Sequence, residues 1–185
     1  LFDNWESWEE DRFARNMWVE TGERLSRESF ARYREIGGGM ITFSRTEEMT
    51  RNALRNPLMM IASDGRILNG KGHPRSSGTY AKVLGQYVRE ENIISLMDAL
   101  RRMTIEPARR LEAFVPAMRH KGRLKVGADA DITIFDANTI IDQSTYTDPT
   151  IPSQGIEFVL VNGGVVLDNG ELDPTIRTGV AIRSN

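Results

Sequence analysis

Residues 58–85 read LMMIASDGRILNGKGHPRSSGTYAKVLG. The apolar run 58–62 stops at Ser63-Asp64-Gly65. A loop then carries Gly70, Gly72, His73, Pro74 and Arg75 before a helical pattern resumes near Thr79. A short apolar run bounded by turn residues predicts a buried strand. An acid at the exit of such a strand, followed by a loop with an imidazole and a guanidinium, is how an α/β enzyme presents catalytic groups.

Immediately upstream, residues 40–43 form a second short apolar run after the break at Gly37-Gly38-Gly39. Ser44 with Glu47 three residues on has the spacing of a capping box, opening a helix through Met49, Ala53 and Leu54 that Pro57 closes. Strand, helix, strand over 40–62, with both strands continuously apolar, predicts a βαβ unit of a parallel sheet covered on both faces. Further upstream, residues 5–36 are rich in Glu and Arg and carry Trp5, Trp8, Phe13, Trp18, Phe30 and Tyr33. Their near-helical spacing predicts one or two helices with an aromatic core, Ser26 and Glu28 marking a helix start and the three glycines a stop.

Downstream, apolar spacing predicts helices over 79–88, 95–103 and 104–111, the last tolerating Pro107 in its first turn. The texture changes after Ala113. Strand signals follow at 124–126, 130–135 and 156–161, and Asn162-Gly163 and Asn169-Gly170 are hairpin turns flanking 165–167. The fold class is therefore read as α/β, with residues 1–112 forming one unit and 113–185 a smaller β-rich one.

Composition narrows the function classes. Across 185 residues the net charge is −2, from 24 Lys and Arg against 26 Asp and Glu. Such a balance provides no field for nucleic acid or an anionic membrane. Cysteine is absent, so disulfides and thiolate metal sites are excluded, and cytoplasmic residence is the expectation. No apolar stretch approaches the roughly 18 residues needed to span a bilayer.

The pattern SDG, then HPRSSGTYAKVLGQYVREE, resembles the last barrel strand and following loop of the metal-dependent amidohydrolases, in particular the branch of the N-acyl-D-amino-acid deacylases (D-aminoacylases). KGRLKVGADADITIFDANTI and GIEFVLVNGGVVLDNGEL resemble the small β-sandwich that flanks the barrel in hydantoinase, urease and deacylase relatives. The resemblance implies the C-terminal part of a TIM-like (β/α)8 barrel over 1–112 and a composite sandwich domain over 113–185. A complete barrel of this type takes about 250 residues, so the chain is expected to be the C-terminal portion of a longer enzyme.

The same resemblance implies roles. Asp64 would contact zinc, accept the proton of the attacking water and return it to the leaving amine; a divalent zinc lowers the pKa of bound water toward roughly 7, within reach of such a base. Taken alone, Asp64-Gly65 is also an ordinary turn pair. Arg75 would grip the free carboxylate of an N-acyl amino acid through two parallel hydrogen bonds, a geometry lysine cannot copy. His73 could ligate metal, contact substrate, relay protons or brace the loop, while His120 reads as a surface residue. A zinc site needs three or four ligands, yet the sequence holds only two histidines and no HxH pair. The polypeptide by itself is thus expected not to be a competent hydrolase, its other zinc ligands coming from elsewhere. The expected partner is a small-molecule amide. A cyclic-amide substrate, as in hydantoinases and dihydroorotases, stays open. So does a non-catalytic module that self-associates or pairs with a missing N-terminal part through open sheet edges.

Overall fold

Two apolar clusters organise the chain, and each rests on helices whose ends are written in the sequence. The computed structural model describes residues 2–183. In the N-terminal part a 3-10 turn (Trp5–Ser7) and helix α1 (Glu10–Ala14) lead into strand β1 (Asn16–Trp18), helix α2 (Arg27–Ile36) and strand β2 (Met40–Thr42). Ser26 caps α2 reciprocally with Ser29. Its Oγ accepts the Ser29 amide at 3.2 Å, and the Ser29 Oγ accepts the Ser26 amide at 2.9 Å, satisfying donors a helix start would otherwise leave unpaired. Gly37 ends the helix at φ 75°, a left-handed conformation that favours glycine. Trp8, Phe13, Trp18, Leu25, Phe30 and Tyr33 are buried together, with Trp5 and Met40 against them. Trp18 stacks on Tyr33 at 4.4 Å between ring centroids. The aromatic residues form a core as expected, but Trp18 lies on β1 and Trp8 between elements, not on the helices that their spacing predicts.

The second cluster gathers helices α3 (Glu47–Arg55), α4 (Arg75–Lys82) and α5 (Leu96–Met103), with α6 (Ile105–Leu111) following α5. Between α3 and α4 lies a small hairpin of strands β3 (Ile67–Leu68) and β4 (Lys71–Gly72). Helix α4 runs on into eight residues of π-helix, Val83–Glu90. Leu54, Ile61, Ala81, Val83, Leu84, Tyr87, Ile94 and Ala99 are buried here with Ile140. The chain then passes through a 3-10 turn (Pro116–His120) into the antiparallel meander β5 (Ile132–Phe135), β6 (Ile156–Val161), β7 (Gly164–Asp168) and β8 (Glu171–Leu172). Phe135 and Ile156 pack against the helical cluster, so the sheet sits on the same core. The turns joining β6 to β7 and β7 to β8 are the two Asn-Gly pairs. Both residues of each have positive φ, 47° and 84° at Asn162-Gly163, 48° and 81° at Asn169-Gly170, as two-residue hairpins require.

Four expectations are corrected. Among the described residues every strand pair is antiparallel, so the parallel βαβ unit over 40–62 is not formed. β2 takes β1 as its neighbour, with Met17 opposite Ile41. Residues 58–62 form no ladder, and the Ile61 amide donates instead to the Arg102 carbonyl at 3.0 Å, at the end of α5. A strand is defined by a neighbouring strand about 4.8 Å away, and apolar character alone does not supply one. The same reason removes the strand at 124–126, a turn whose Leu124 and Val126 side chains are exposed. Helix α3 is capped by Thr46, whose Oγ1 accepts the Met49 amide at 3.2 Å, not by Ser44. The helix expected from Thr79 begins at Arg75, directly after Pro74.

Arg102 ties these pieces together. Its side chain is 4% exposed and forms an ion pair with Asp98, and Nη1 donates to the carbonyls of Leu54 (2.7 Å) and Asn56 (2.8 Å). The buried cation thereby closes the C-terminus of α3, where helix carbonyls lack intrahelical donors. None of the described helices is long and apolar enough to cross a membrane.

Candidate active site

The cleft begins where the main chain turns at Asp64. This residue has φ 44°, a left-handed conformation that Asp tolerates better than most side chains. Next to it, a Cβ at position 65 would lie 2.4 Å from the Ser76 Cα. Glycine alone lets the loop pass this close to the first turn of α4. The intervening residues double back in the β3–β4 hairpin, turned by Asn69 (φ 50°) and Gly70 (φ 73°). The result returns the chain to Pro74 and places Arg75 at the first position of α4, beside the acid eleven residues earlier. The Arg75 Nη2 donates to the Asp64 Oδ2 at 2.9 Å.

Asp64 and Arg75 share a broad cleft of about 1280 Å³ with Glu47, His73, Tyr87 and Tyr146. Asp64 is 89% exposed by its side chain and Arg75 42%, so both are open to a small molecule. Sequence reading puts Asp64 at the exit of a buried strand; no strand precedes it, and the structure brings Arg75 to it across a loop. His73 adjoins Arg75 rather than Asp64. Its Nδ1 accepts the Arg75 backbone amide at 3.1 Å, and its Nε2 lies 3.5 Å from the Tyr146 hydroxyl. An Nδ1 that accepts leaves the ring proton on Nε2. Burial, reinforced by the charges of Arg75 and Lys82, pushes the imidazole down to about 4, so it is neutral at ordinary pH. His120 lies outside the cleft lining, with Nδ1 3.0 Å from the Gly127 carbonyl oxygen.

A second polar group faces the same cleft. The Tyr87 hydroxyl donates to Glu47 Oε2 at 2.7 Å, and Lys82 Nζ lies 3.4 Å from Glu47 Oε1. The hydrogen bond from Tyr87 holds the Glu47 carboxyl below its ordinary range, while burial raises the Tyr87 phenol. The capping-box spacing assigns Glu47 to the helix start, and no local pattern marks its partner Tyr87, 40 residues away. Tyr146 was missed as well, since it lies 73 residues from His73 and no local pattern marks it. The β3–β4 hairpin did leave a readable signal, the Asn69-Gly70 pair.

Among the described residues, no three His, Cys, Asp or Glu side chains converge as metal ligands. Asp64 offers one carboxylate, and His73 Nδ1 is committed to a backbone amide. These residues do not by themselves fit a catalytic zinc, which takes three protein ligands and an open position.

The profile of the amidohydrolase family matches residues 38–167, from just beyond α2 through the Asp64 loop into β7. An N-acyl-D-glutamate deacylase of Alcaligenes xylosoxydans xylosoxydans is 40% identical over 145 residues, 78% of this chain and 28% of that protein. A D-aminoacylase of the same organism is 35% identical over 128 residues, 69% of this chain and 25% of that protein. Among solved structures, the N-acyl-D-glutamate deacylase of Bordetella bronchiseptica, complexed with zinc and a phosphonate mimic of the tetrahedral intermediate, superposes with a TM-score of 0.75 at 30% identity. That match covers 95% of this chain and 39% of that one. A D-aminoacylase structure gives 0.70 at 29% identity, over 87% of this chain and 36% of that one. The chain thus spans between a quarter and two fifths of the length of these relatives. With the family profile running through both the cleft loop and the sheet, the chain is an α/β segment that belongs to the amidohydrolase family.

Proposed function

We propose that this chain supplies part of the active site of a zinc-dependent hydrolase that removes the acyl group from an N-acyl-D-amino acid. The observation that carries the reading is the pairing of Asp64 with Arg75 on an open cleft, in a segment 40% identical to an N-acyl-D-glutamate deacylase. In this reading Asp64 is the general base and then the general acid. Its carboxylate takes a proton from water as the new C–O bond forms, and gives that proton to the amide nitrogen as the C–N bond breaks. Arg75 binds the substrate's free carboxylate. Its planar fork has N–H donors beyond the Nη2 that meets Asp64, so one guanidinium can hold substrate beside the acid. The same group favours a substrate with a free carboxylate over a cyclic amide that lacks one, such as a simple hydantoin.

Zinc would need donors from outside the described residues beside the Asp64 carboxylate. The proposed setting is a TIM-like barrel to which residues 1–112 contribute, with 113–185 contributing to a flanking β-sandwich. The exposed side chains of Leu58, Met59 and Met60, on a segment without a ladder, support completion by neighbouring barrel strands.

Hydrolysis of N-acetyl-D-glutamate and other N-acetyl-D-amino acids by the full-length protein tests the reading. Asp64→Asn should lower kcat by about 10²–10⁴-fold with the fold unchanged by circular dichroism. A variant that keeps full activity removes Asp64 from proton transfer.

A further inference from the structure

The segment that carries Arg75 is held from one side by a stretch far away in sequence, the connection between β5 and β6. Ser144 Oγ donates to the Pro74 carbonyl at 2.8 Å, Ser77 Oγ to the Pro149 carbonyl at 2.8 Å, and Ser153 Oγ to the Ser77 carbonyl at 2.9 Å. Pro149 is fully buried. The two segments touch closely enough that a Cβ at Gly78 would lie 2.7 Å from Ser144 Oγ and 2.8 Å from Asp142 Cβ. From this connection Tyr146 reaches back over the helix start. Its ring packs edge-on against His73 at 5.1 Å and tilted against Phe43 at 4.8 Å between centroids, and its hydroxyl lies 3.5 Å from His73 Nε2.

His73 passes this restraint to Arg75. Pro74 occupies the N-cap position of α4, and no side chain at that position caps the helix. The amide of Arg75 is one of the donors that a helix start leaves without an intrahelical acceptor. His73 Nδ1 accepts it, so the imidazole acts as the cap from one residue upstream.

We propose that His73 and Tyr146 are positioning residues that set the Arg75 guanidinium at the cleft, and that the β5–β6 connection thereby governs how strongly the site prefers a substrate with a free carboxylate. This rests on Arg75 binding that carboxylate. Neither side chain touches the reacting atoms in this scheme. Tyr146 fixes the imidazole ring, the ring fixes the first turn of α4, and the turn fixes the guanidinium relative to Asp64.

The test uses the full-length protein and two substrates, an N-acetyl-D-amino acid and its α-carboxamide, and reads the ratio of their kcat/KM values. Arg75→Ala should reduce that ratio by about 100-fold, and His73→Leu and Tyr146→Phe by roughly tenfold and threefold, as expected when a grip is lost or only displaced. Asparagine places its Oδ1 near the position of the histidine Nδ1 and accepts the amide two residues on, so His73→Asn should retain most of the preference. His73→Gln, of similar polarity but matched to Nε2, should lose it as His73→Leu does. A merely structural role would lower both substrates together and leave the ratio constant. If Arg75→Ala leaves the ratio unchanged, the carboxylate-binding reading fails. If Arg75→Ala collapses the ratio while the His73 and Tyr146 variants do not, or if asparagine and glutamine behave alike, the positioning role alone is overturned.

Discussion

At the scale of single residues, the pair formed by Arg51 and Glu91 has the most direct consequence for stability. Arg51 Nε and Nη2 donate to the two carboxylate oxygens at 2.7 and 3.0 Å, and Gln86 Nε2 adds a third bond at 2.7 Å. The bonds from Arg51, more than that from Gln86, hold the Glu91 carboxyl at about 2 against an ordinary 4.5. Between those two values the unfolded chain binds a proton that the folded chain refuses, so stability falls as pH falls. The contribution is present above about 4.5 and is lost as pH drops toward 2. Arg51→Met should therefore flatten the decline of the urea midpoint between pH 5 and 3. Parallel declines in the two proteins would show that the pair does not set it. Asp64 and Arg75 illustrate how far single residues were legible. Both residue types and their order suggest the roles proposed for them, while their contact depends on a hairpin and on Gly65 and is not readable from the sequence.

Elements were legible where their signals are local. Ser26 and Gly37 bracket α2, Ser95 caps α5, and the two Asn-Gly turns set the meander, because each needs only its near neighbours in the chain. The segments at 58–62 and 124–126 failed as strands because a ladder requires a partner that periodicity does not encode. The start of α3 was displaced by two residues for a similar reason. Ser44 and Glu47 have capping-box spacing, but the Glu47 carboxylate is drawn to the Tyr87 hydroxyl, leaving Thr46 to cap. Thr46→Ala should cost about 1 kcal/mol of stability, and Ser44→Ala should be neutral within the error of a denaturant titration. The reverse order would restore the box read from sequence.

For the molecule as a whole, composition and texture placed a helical part before a β-rich one, and both are present. Their separateness is less than the change in texture suggests. Ile140 lies in the helical core, the Arg89 guanidinium donates to its carbonyl at 2.5 Å, and Arg123 pairs with Glu112 across the junction. A shared core makes opening of one part expensive for the other. Urea unfolding followed by near-UV and far-UV circular dichroism should accordingly give one coincident transition. Two resolved transitions would mean that residues 1–112 and 113–185 unfold independently. The cleft could not be assembled from sequence at this scale either, since His73 and Tyr146 come from opposite sides of that junction.

The π winding between Val83 and Glu90 bears on which lengths of chain this architecture can accept. Its five-residue repeat, closed by the Glu91 amide on the Gln86 carbonyl at 2.8 Å, accommodates residues in a wider coil than the ordinary helix. Losing one of them would let the coil close as an ordinary helix, with Tyr87 moved relative to the Glu47 carboxylate. A change of one residue in length can therefore be taken up within this coil by rewinding, with the elements on either side keeping their places.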